Sequence, residues 1–197
     1  MVDDEDSFAG DVRSGLETDL IVRNEQVVFQ SDDDAEFTVI RADVESDGRT
    51  MPIMFAQVRG GQPSVVCVTV RADGRLLLVR HHRIATDSDE WEFPKSMGGD
   101  GRIAGDTAEY EVLRETGIRP LSRRIVQMIH AETCKLRDSV AVIEVSVQDD
   151  RADAAALNDP RLRWLDCSEF DDMVRAGDIM DGVTLSAYLV WRLHADR

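Results

Sequence analysis

A short helix bearing carboxylates is the feature of this chain that most limits its fold and its chemistry. The segment from Asp106 to Ile118 predicts this helix, because Asp106 can serve as N-cap and Glu109, three residues later, completes a capping box. Gly117 stands where helices commonly end in a left-handed residue. The sequence therefore predicts a helix that is bounded on both sides and lies between strand-like segments.

Three charged side chains share one face of this predicted helix. Glu111, Arg114 and Glu115 are spaced i, i+3 and i+4, which places them side by side. Two carboxylates one turn apart can hold a hard divalent cation such as Mg²⁺, which prefers oxygen ligands. Arg114 lies within reach of Glu111, so the spacing predicts an ion pair between them that occupies the Glu111 carboxylate. The pattern is thus compatible with a cation site and also with an ordinary solvated helix face.

The helix forms the second half of a stretch that resembles the sequence motif of the Nudix hydrolase family. That motif reads Gly, five residues, Glu, seven residues, and then Arg-Glu-apolar-any-Glu-Glu-any-Gly-apolar. Laid on this chain without gaps, it begins at Ser96 and ends at Ile118. The matching positions are Glu111, Val112, Glu115, Gly117 and Ile118. The departures are Ser96 for the first Gly, Arg102 for the isolated Glu, Tyr110 for the motif Arg and Arg114 for the first Glu of the pair.

The resemblance implies a divalent cation, Mg²⁺ or Mn²⁺, at this helix. Its ligands would be Glu115, Glu111 and the backbone carbonyl of Lys95, and these two glutamates would be the catalytic residues. In the family's chemistry water attacks a phosphorus of a pyrophosphate, while the cation polarises phosphate oxygens and lowers the pKa of the attacking water. The four departures weaken this pattern, because two of them replace a carboxylate by a guanidinium that stays protonated at any working pH.

The residues before the motif resemble the ADP-ribose pyrophosphatase branch of the family. Leu76–Arg80, then His81-His82-Arg83 and Trp91-Glu92-Phe93-Pro94, look like the branch's strand, arginine and Trp-Glu-apolar-Pro approach. The resemblance implies that Arg83 and Arg80 bind substrate phosphates through forked hydrogen bonds and that Glu92 lines the site. Surface arginines after a strand would give the same pattern, so that interpretation stays open. His81 and His82 lack a metal-binding spacing, which favours surface or rim positions.

The order of predicted elements, β-rich, helix, β-rich and then helices, indicates an α+β fold. The resemblance implies a Nudix-type α/β/α sandwich with a mixed sheet and a small N-terminal β segment. We expect an acidic, flexible tail over residues 1–20, the β segment over residues 21–60 and the Nudix-like domain over residues 61–197. In the ADP-ribose pyrophosphatase branch the β segment packs against a second subunit, which implies a homodimer.

Turn and cap signals place the remaining elements. Hairpins are predicted at Asp47-Gly48 and at Asp73-Gly74. Further predictions are a strand over Val140–Val147, a helix over Ser168–Ala176 capped by Ser168 and ended by Gly177, and a last helix over Thr184–His194. The loop over residues 149–160 contains Asp149, Asp150, Asp153 and Asp159 but no glutamate, so it does not identify a catalytic base.

Charge and composition exclude several classes of function. The net charge is −16, with 39 acidic and 23 basic residues, which argues against nucleic acid and anionic membranes as partners. No apolar run reaches the roughly 18 residues of a membrane span. The acidic start is the reverse of a secretory signal and predicts a cytoplasmic protein. Three widely separated cysteines indicate buried thiols rather than a disulfide framework.

Two hypotheses of function follow. The first is a Nudix-type hydrolase that cleaves the pyrophosphate of a nucleoside diphosphate linked to a sugar or similar moiety, as ADP-ribose would be. The second is a catalytically impaired Nudix-fold domain that binds a nucleotide-like ligand as a sensor or regulator. Departures from the motif favour the second, and the retained glutamates and flanking segments favour the first.

Overall fold

The computed structural model describes residues 20–33, 36–46, 48–98, 101–148 and 159–195. The strands are β1 (Ile21–Gln30), β2 (Thr38–Ser46), β3 (Arg49–Gln57), β4 (Ser64–Arg71), β5 (Leu76–Arg83), β6 (Ser88–Glu92), β7 (Lys95–Ser96), β8 (Pro120–Ile129), β9 (Val140–Val147) and β10 (Leu162–Leu165). The helices are α1 (Ala104–Thr116), α2 (Cys167–Ala176) and α3 (Gly182–Ala195), and a 3₁₀ turn spans Arg59–Gly61. The expected α+β class is confirmed.

The N-terminal strands form their own antiparallel sheet in the order β1-β2-β3. Along β2, Ile40, Ala42 and Val44 are buried while alternate residues are not, as the two-residue period of a strand dictates. The β2–β3 hairpin closes at Gly48, whose φ of 70° suits glycine; the Asp47 half of the predicted turn lies outside the described residues. An isolated bridge from Ala56 to Leu136 joins this sheet to the rest of the chain.

The main sheet is mixed, with the strand order β10-β5-β4-β9-β8. β4 and β9 run parallel and the other pairs are antiparallel. β4 and β9 are rich in valine and isoleucine, and most of their side chains are buried. Such continuous apolar runs are typical of central strands that are covered on both faces. The strand predicted over Val140–Val147 coincides with β9.

Helices cover both faces of the main sheet, and β4 shows how its residues divide between them. Val65 and Cys67 belong to one apolar cluster with Ala108 and Val112 of α1. The alternate residues of β4 belong to a second cluster on the other face, with α2 and α3. Its members include Val66, Val68, Phe93, Phe170, Tyr188 and Trp191. In that cluster Phe93 stacks on Phe170, and Phe170 stacks on Tyr188.

The gap between β4 and β5 determines where the candidate site lies. β5 pairs with β4 only at Thr69↔Leu77 and Val70↔Leu76 and then continues as the partner of β6. The N–H of Cys67 donates instead to the carbonyl of Pro94 at 2.8 Å, and β7 pairs with the start of β4. The Trp-Glu-Phe-Pro segment therefore fills the opening where the two strands diverge.

Both predicted N-cap residues, Asp106 and Ser168, are wrong. α1 begins at Ala104, and Ile103 at its N-cap makes no side-chain capping bond within the described part of the chain. Asp106 lies inside the first turn, where Arg123 of β8 binds both Asp106 at 2.6 Å and Glu109 at 2.7 Å. These pairs take up the two carboxylates that the predicted capping box would use.

α2 is capped two residues earlier than expected. The Asp166 side chain, not that of Ser168, accepts hydrogen bonds from the N–H groups of Ser168 and Glu169 at 2.9 Å each. The Glu169 side chain in turn accepts a hydrogen bond from the Asp166 N–H at 2.9 Å. Both predicted glycine ends are confirmed, since Gly117 has a φ of 72° and Gly177 a φ of 80°.

Some expectations fall on parts of the chain that the structure does not describe. These are the acidic tail over residues 1–19 and the loop aspartates Asp149, Asp150 and Asp153. α3 starts at Gly182, two residues before the predicted Thr184. Among the described residues, no helix is long and apolar enough to cross a membrane.

Candidate functional site

The two glutamates of α1 are nearly buried, although the sequence pattern suggested a solvated face as one alternative. The side chain of Glu111 is 7% exposed and that of Glu115 is 9% exposed. Both lie near Cys67 of β4, because their charges contribute to raising the pKa of its thiol. Burial in turn strengthens every charge interaction made here.

Arg114 bridges the two carboxylates. Its Nε donates to Glu111 Oε2 at 2.8 Å, its Nη2 donates to the same oxygen, and Nη2 also donates to Glu115 Oε1 at 3.2 Å. The hydrogen bond with Glu111 raises the pKa of the Arg114 guanidinium above its ordinary value, so the cation is permanent. The predicted Glu111–Arg114 ion pair is present. It is more sheltered than the exposed i,i+3 pair that the sequence suggested.

Glu115 retains one oxygen that suits a cation. Its Oε2 is buried and has no hydrogen-bond donor among the described residues. The imidazole of His81 lies close by, with its Nε2 3.6 Å from Oε2. A buried carboxylate oxygen without a donor is costly, and a bound cation would satisfy it. The residues present at Glu115 therefore fit a divalent cation, whereas Glu111 fits one only after leaving Arg114.

The described residues do not include a group of three or more His, Cys, Asp or Glu side chains arranged to hold one ion. Cys67 lies near these glutamates, but burial, followed by the charges of Glu115 and Glu111, raises the pKa of its thiol well above the ordinary value. The Cys67 thiol therefore stays uncharged within the core, and an uncharged thiol is a poor metal ligand.

A second charged cluster links β5, β6, β7 and the start of α3. The buried Glu92, 2% exposed, accepts from Arg83 Nε at 2.9 Å and lies 3.1 Å from Lys95 Nζ. Lys95 Nζ also lies 2.7 Å from Asp181, which accepts from the N–H of Thr184 at 2.9 Å and from its hydroxyl at 2.7 Å. We call Arg83, Glu92, Lys95 and Asp181 the ion-pair chain.

Two groups of the ion-pair chain have shifted pKa values. The hydrogen bond to Glu92 raises the pKa of Arg83 above its ordinary value. Burial acts to raise the pKa of Asp181, but the hydrogen bond and charge of Lys95, together with the bonds from Thr184, outweigh it and leave this pKa lowered. Both shifts favour the charged forms of Arg83 and Asp181 near neutral pH.

The ion-pair chain lies at an open cleft of about 620 Å³. All four residues of the ion-pair chain line it, together with Ser88 and Glu90 of β6. The remaining lining residues include Thr86, Met180 and Gly182. The cleft is large enough for a small ligand and presents both signs of charge.

The sequence-predicted substrate residues divide between two faces of the β5–β6 ribbon. Because side chains alternate along a strand, Arg83 and Glu92 share the face that carries His81. Arg80 lies on the opposite face, where it pairs with Asp89 at 3.0 Å and approaches the ring of Trp91 at 6.0 Å. The structure thus brings together Arg83, Glu92 and Lys95 and separates Arg80 from them.

The other motif departures have local structural explanations. Ser96 lies in β7 opposite Val65, and its φ is not in the left-handed region, so the absent glycine costs no backbone strain. Arg102 lies over the ring of Tyr110 at 4.1 Å, which makes these two departures a cation–π pair. Only Arg114, among the four departures, binds the glutamates directly in the described part of the chain.

Sequence reasoning missed three residues around the site. Asp181 completes the ion-pair chain from a distant part of the sequence, and His81 approaches Glu115. Arg161 is held by Asp159 through bonds of 3.0 and 2.6 Å, and the charge of Glu115 contributes to raising its pKa. Strand alternation could have separated His81 from His82, but the sequence contained no signal that joined Lys95 to Asp181.

Comparisons with known proteins agree with this architecture. A family model described as NUDIX domain matches residues 60–179. A solved structure described as an ADP compounds hydrolase is similar in fold, with a TM-score of 0.66 and 18% sequence identity. The alignment covers 91% of this chain and 95% of that chain. No curated protein sequence gives a significant match.

Proposed function

Because the chain belongs to the Nudix family, we propose that it hydrolyses the pyrophosphate of a nucleoside diphosphate linked to a sugar or similar group. The observation that carries this proposal is the pair of nearly buried glutamates on α1, one of which has an oxygen without a donor in the described structure. Water would add to one phosphorus and the bridging oxygen would leave with the other. The products would be a nucleoside monophosphate and a phosphorylated partner.

The proposal includes a divalent cation, Mg²⁺ or Mn²⁺. When bound, such an ion polarises phosphate oxygens and lowers the pKa of a coordinated water. Glu115 would hold it through Oε2, and the backbone carbonyl of Lys95 and the carboxylate of Glu111 would add further oxygens. Glu111 must first exchange the guanidinium of Arg114 for the ion, so binding competes with the ion pair between them.

Arg83 is the proposed phosphate-binding residue. It donates to Glu92 through Nε and Nη2, and a guanidinium has five N–H donors, so these bonds leave donors for a phosphate. Arg83 and Glu92 both line the cleft, but the Arg83 side chain is 40% exposed whereas that of Glu92 is 2% exposed. Glu92 would therefore orient Arg83 rather than contact the substrate itself. Arg80 is left out of the proposed set because it lies on the other face of the ribbon.

The test is phosphate release from a panel of nucleoside diphosphate sugars with Mg²⁺ or Mn²⁺. Glu115→Gln should lower the rate about 10²–10³-fold, the effect expected when one electrostatic stabiliser is removed. Arg114→Glu, which restores the family carboxylate, should raise the rate. Arg175→Glu is a matched charge reversal on the exposed surface of α2 and should leave it unchanged. Turnover that persists in the Glu115→Gln variant would refute the assignment.

A second candidate function is ligand binding without hydrolysis. The specific observation in its favour is Arg114, which bridges both carboxylates and stays charged. The same panel separates the two, because a binding protein would show thermal stabilisation by a nucleotide-linked ligand with no turnover. In that case Arg114→Glu would weaken ligand binding rather than activate hydrolysis.

We also propose that the protein is a homodimer that packs through its N-terminal sheet. In support, β1 is exposed along its whole length and carries Val22, Val27 and Phe29 at 55%, 59% and 54% exposure. Exposed apolar side chains on an edge strand are typical of an interface. Light scattering after gel filtration should give twice the chain mass, and Val27→Asp should shift the protein to monomer. A monomeric wild type would contradict this proposal.

A further inference from the structure

Two adjacent histidines on β5 point in opposite directions. His81 lies opposite Glu90 in β6 and shares its face with Arg83, whereas His82 lies on the other face and bonds to Asp89 at 3.1 Å. Only the first of the pair is thus directed toward α1. The alternation of the strand has placed one imidazole next to the motif helix and the other on the outer surface of the ribbon.

The His81 imidazole and Glu115 are separated by a distance that suits a shared cation. Nε2 of His81 lies 3.6 Å from Oε2 of Glu115, which is long for a hydrogen bond. Two ligand atoms on one small divalent cation are roughly 3.0–3.4 Å apart, given metal–ligand bonds of about 2.0–2.1 Å. A shift of a few tenths of an ångström would therefore let both atoms bind one ion. The His81 side chain is 28% exposed, so its imidazole is accessible from solvent.

The surroundings favour this use of His81. The Glu115 side chain is more than nine-tenths buried, and its Oε2 has no hydrogen-bond donor among the described residues. Arg114 meanwhile occupies Glu111, which removes one oxygen ligand from the site. A nitrogen ligand on the opposite side of Glu115 would offset that loss. It would also change the preferred ion, because Mg²⁺ takes oxygen ligands whereas Mn²⁺, Co²⁺ and Zn²⁺ also accept imidazole.

We propose that His81 and Glu115 together bind a divalent transition-metal ion and that the site prefers such an ion to Mg²⁺. Water and substrate phosphate oxygens complete the coordination. This inference rests on the proposed function in one respect, the use of Glu115 as a metal ligand. It adds the nitrogen ligand and the class of metal, neither of which the motif specifies.

The experiment measures metal binding directly, with the full chain and no substrate. Co²⁺ binding is followed by its visible absorption, and Mn²⁺ and Mg²⁺ binding by calorimetry. His81→Asn should weaken Co²⁺ and Mn²⁺ binding at least about 10- to 100-fold, the loss that follows when a residue that only supports a metal ligand is removed. Mg²⁺ binding should be unchanged. His82→Asn, the neighbour on the opposite face, should leave the binding of all three ions as in the wild type.

Glu115→Gln is the second variant, and it should weaken the binding of all three ions. The proposal is overturned if the wild type binds no Co²⁺ or Mn²⁺, if it prefers Mg²⁺, or if His81→Asn matches His82→Asn. Circular dichroism on each variant checks that the fold is retained. If metal binding depends on His81 but the protein shows no turnover, the proposed hydrolysis is refuted and this inference stands. If the protein shows turnover but metal binding does not depend on His81, only this inference is refuted.

Discussion

Neutralising Glu92 is expected to destabilise the fold more than breaking any surface ion pair. The carboxylate is 2% exposed and lies between Arg83 and Lys95, at 2.9 and 3.1 Å. Glu92→Gln keeps the size of the side chain and one carbonyl acceptor but removes the charge. Lys95 retains Asp181 at 2.7 Å, and Arg83, which is 40% exposed, can be partly hydrated.

The magnitude follows from these contacts. Removing one partner of a fully buried ion pair costs about 3–5 kcal/mol, and a hydrogen bond to a charged group contributes about 1.5–3 kcal/mol. Since both cationic partners keep other stabilisation and the amide replaces one bond, we expect a loss of about 2–3 kcal/mol. For a chain of this size that corresponds to a fall in Tm of about 4–12 °C.

The matched control is Asp172→Asn in α2. Arg175 Nη1 lies 2.6 Å from Asp172, closer than Lys95 is to Glu92, but these two side chains are 71% and 76% exposed. Solvent screening should limit the change there to about 0.5 kcal/mol. Urea denaturation monitored by tryptophan fluorescence gives both free energies of unfolding. If Asp172→Asn costs as much as Glu92→Gln, burial does not determine the strength of these pairs and the reasoning fails.

Two further predictions test packing and pH dependence. Gly98→Ala would place a Cβ 1.9 Å from the Pro63 carbonyl oxygen, so we expect a loss of about 1–3 kcal/mol by thermal denaturation, and an unchanged Tm would contradict the packing. Asp181 has a pKa that burial raises but Lys95 and Thr184 lower further, so its ionised form stabilises the fold. That contribution is complete above its unfolded pKa of about 3.9 and is lost as the pH falls through its lower folded pKa. Unfolding free energies measured between pH 2 and 7 should therefore fall more steeply below pH 4 for the wild type than for Asp181→Asn, and parallel curves would contradict this.

The α1 helix shows how far local reasoning extends. Its end at Gly117 and the shared face of Glu111 and Glu115 follow from spacing and from the backbone freedom of glycine, both of which are local properties. Its start could not be derived in this way. Arg123, on a strand that follows the helix, forms ion pairs with Asp106 and Glu109, the two residues of the predicted capping box.

The candidate site divides in the same manner. The motif identified Glu111 and Glu115, and the position of Arg114 beside them identified the cation that pairs with them. The sequence did not reveal that Glu92 is buried against Arg83, that Asp181 completes the ion-pair chain, or that Arg80 lies on the opposite face of the ribbon. Each of these depends on which strand face meets which helix, and that is decided by pairing between distant segments.

From its order of residues alone, this chain specifies an α+β fold of the Nudix family, the helix that carries two glutamates and the presence of a guanidinium beside them. These are set by periodicity, turn residues and charge spacing, which act over a few residues. The tertiary structure decided which oxygen lacks a partner, which histidine faces Glu115 and which arginine reaches the cleft. The physical reason is that burial and charge pairing depend on distances between segments remote in sequence, and only the packed sheet and helices define those distances.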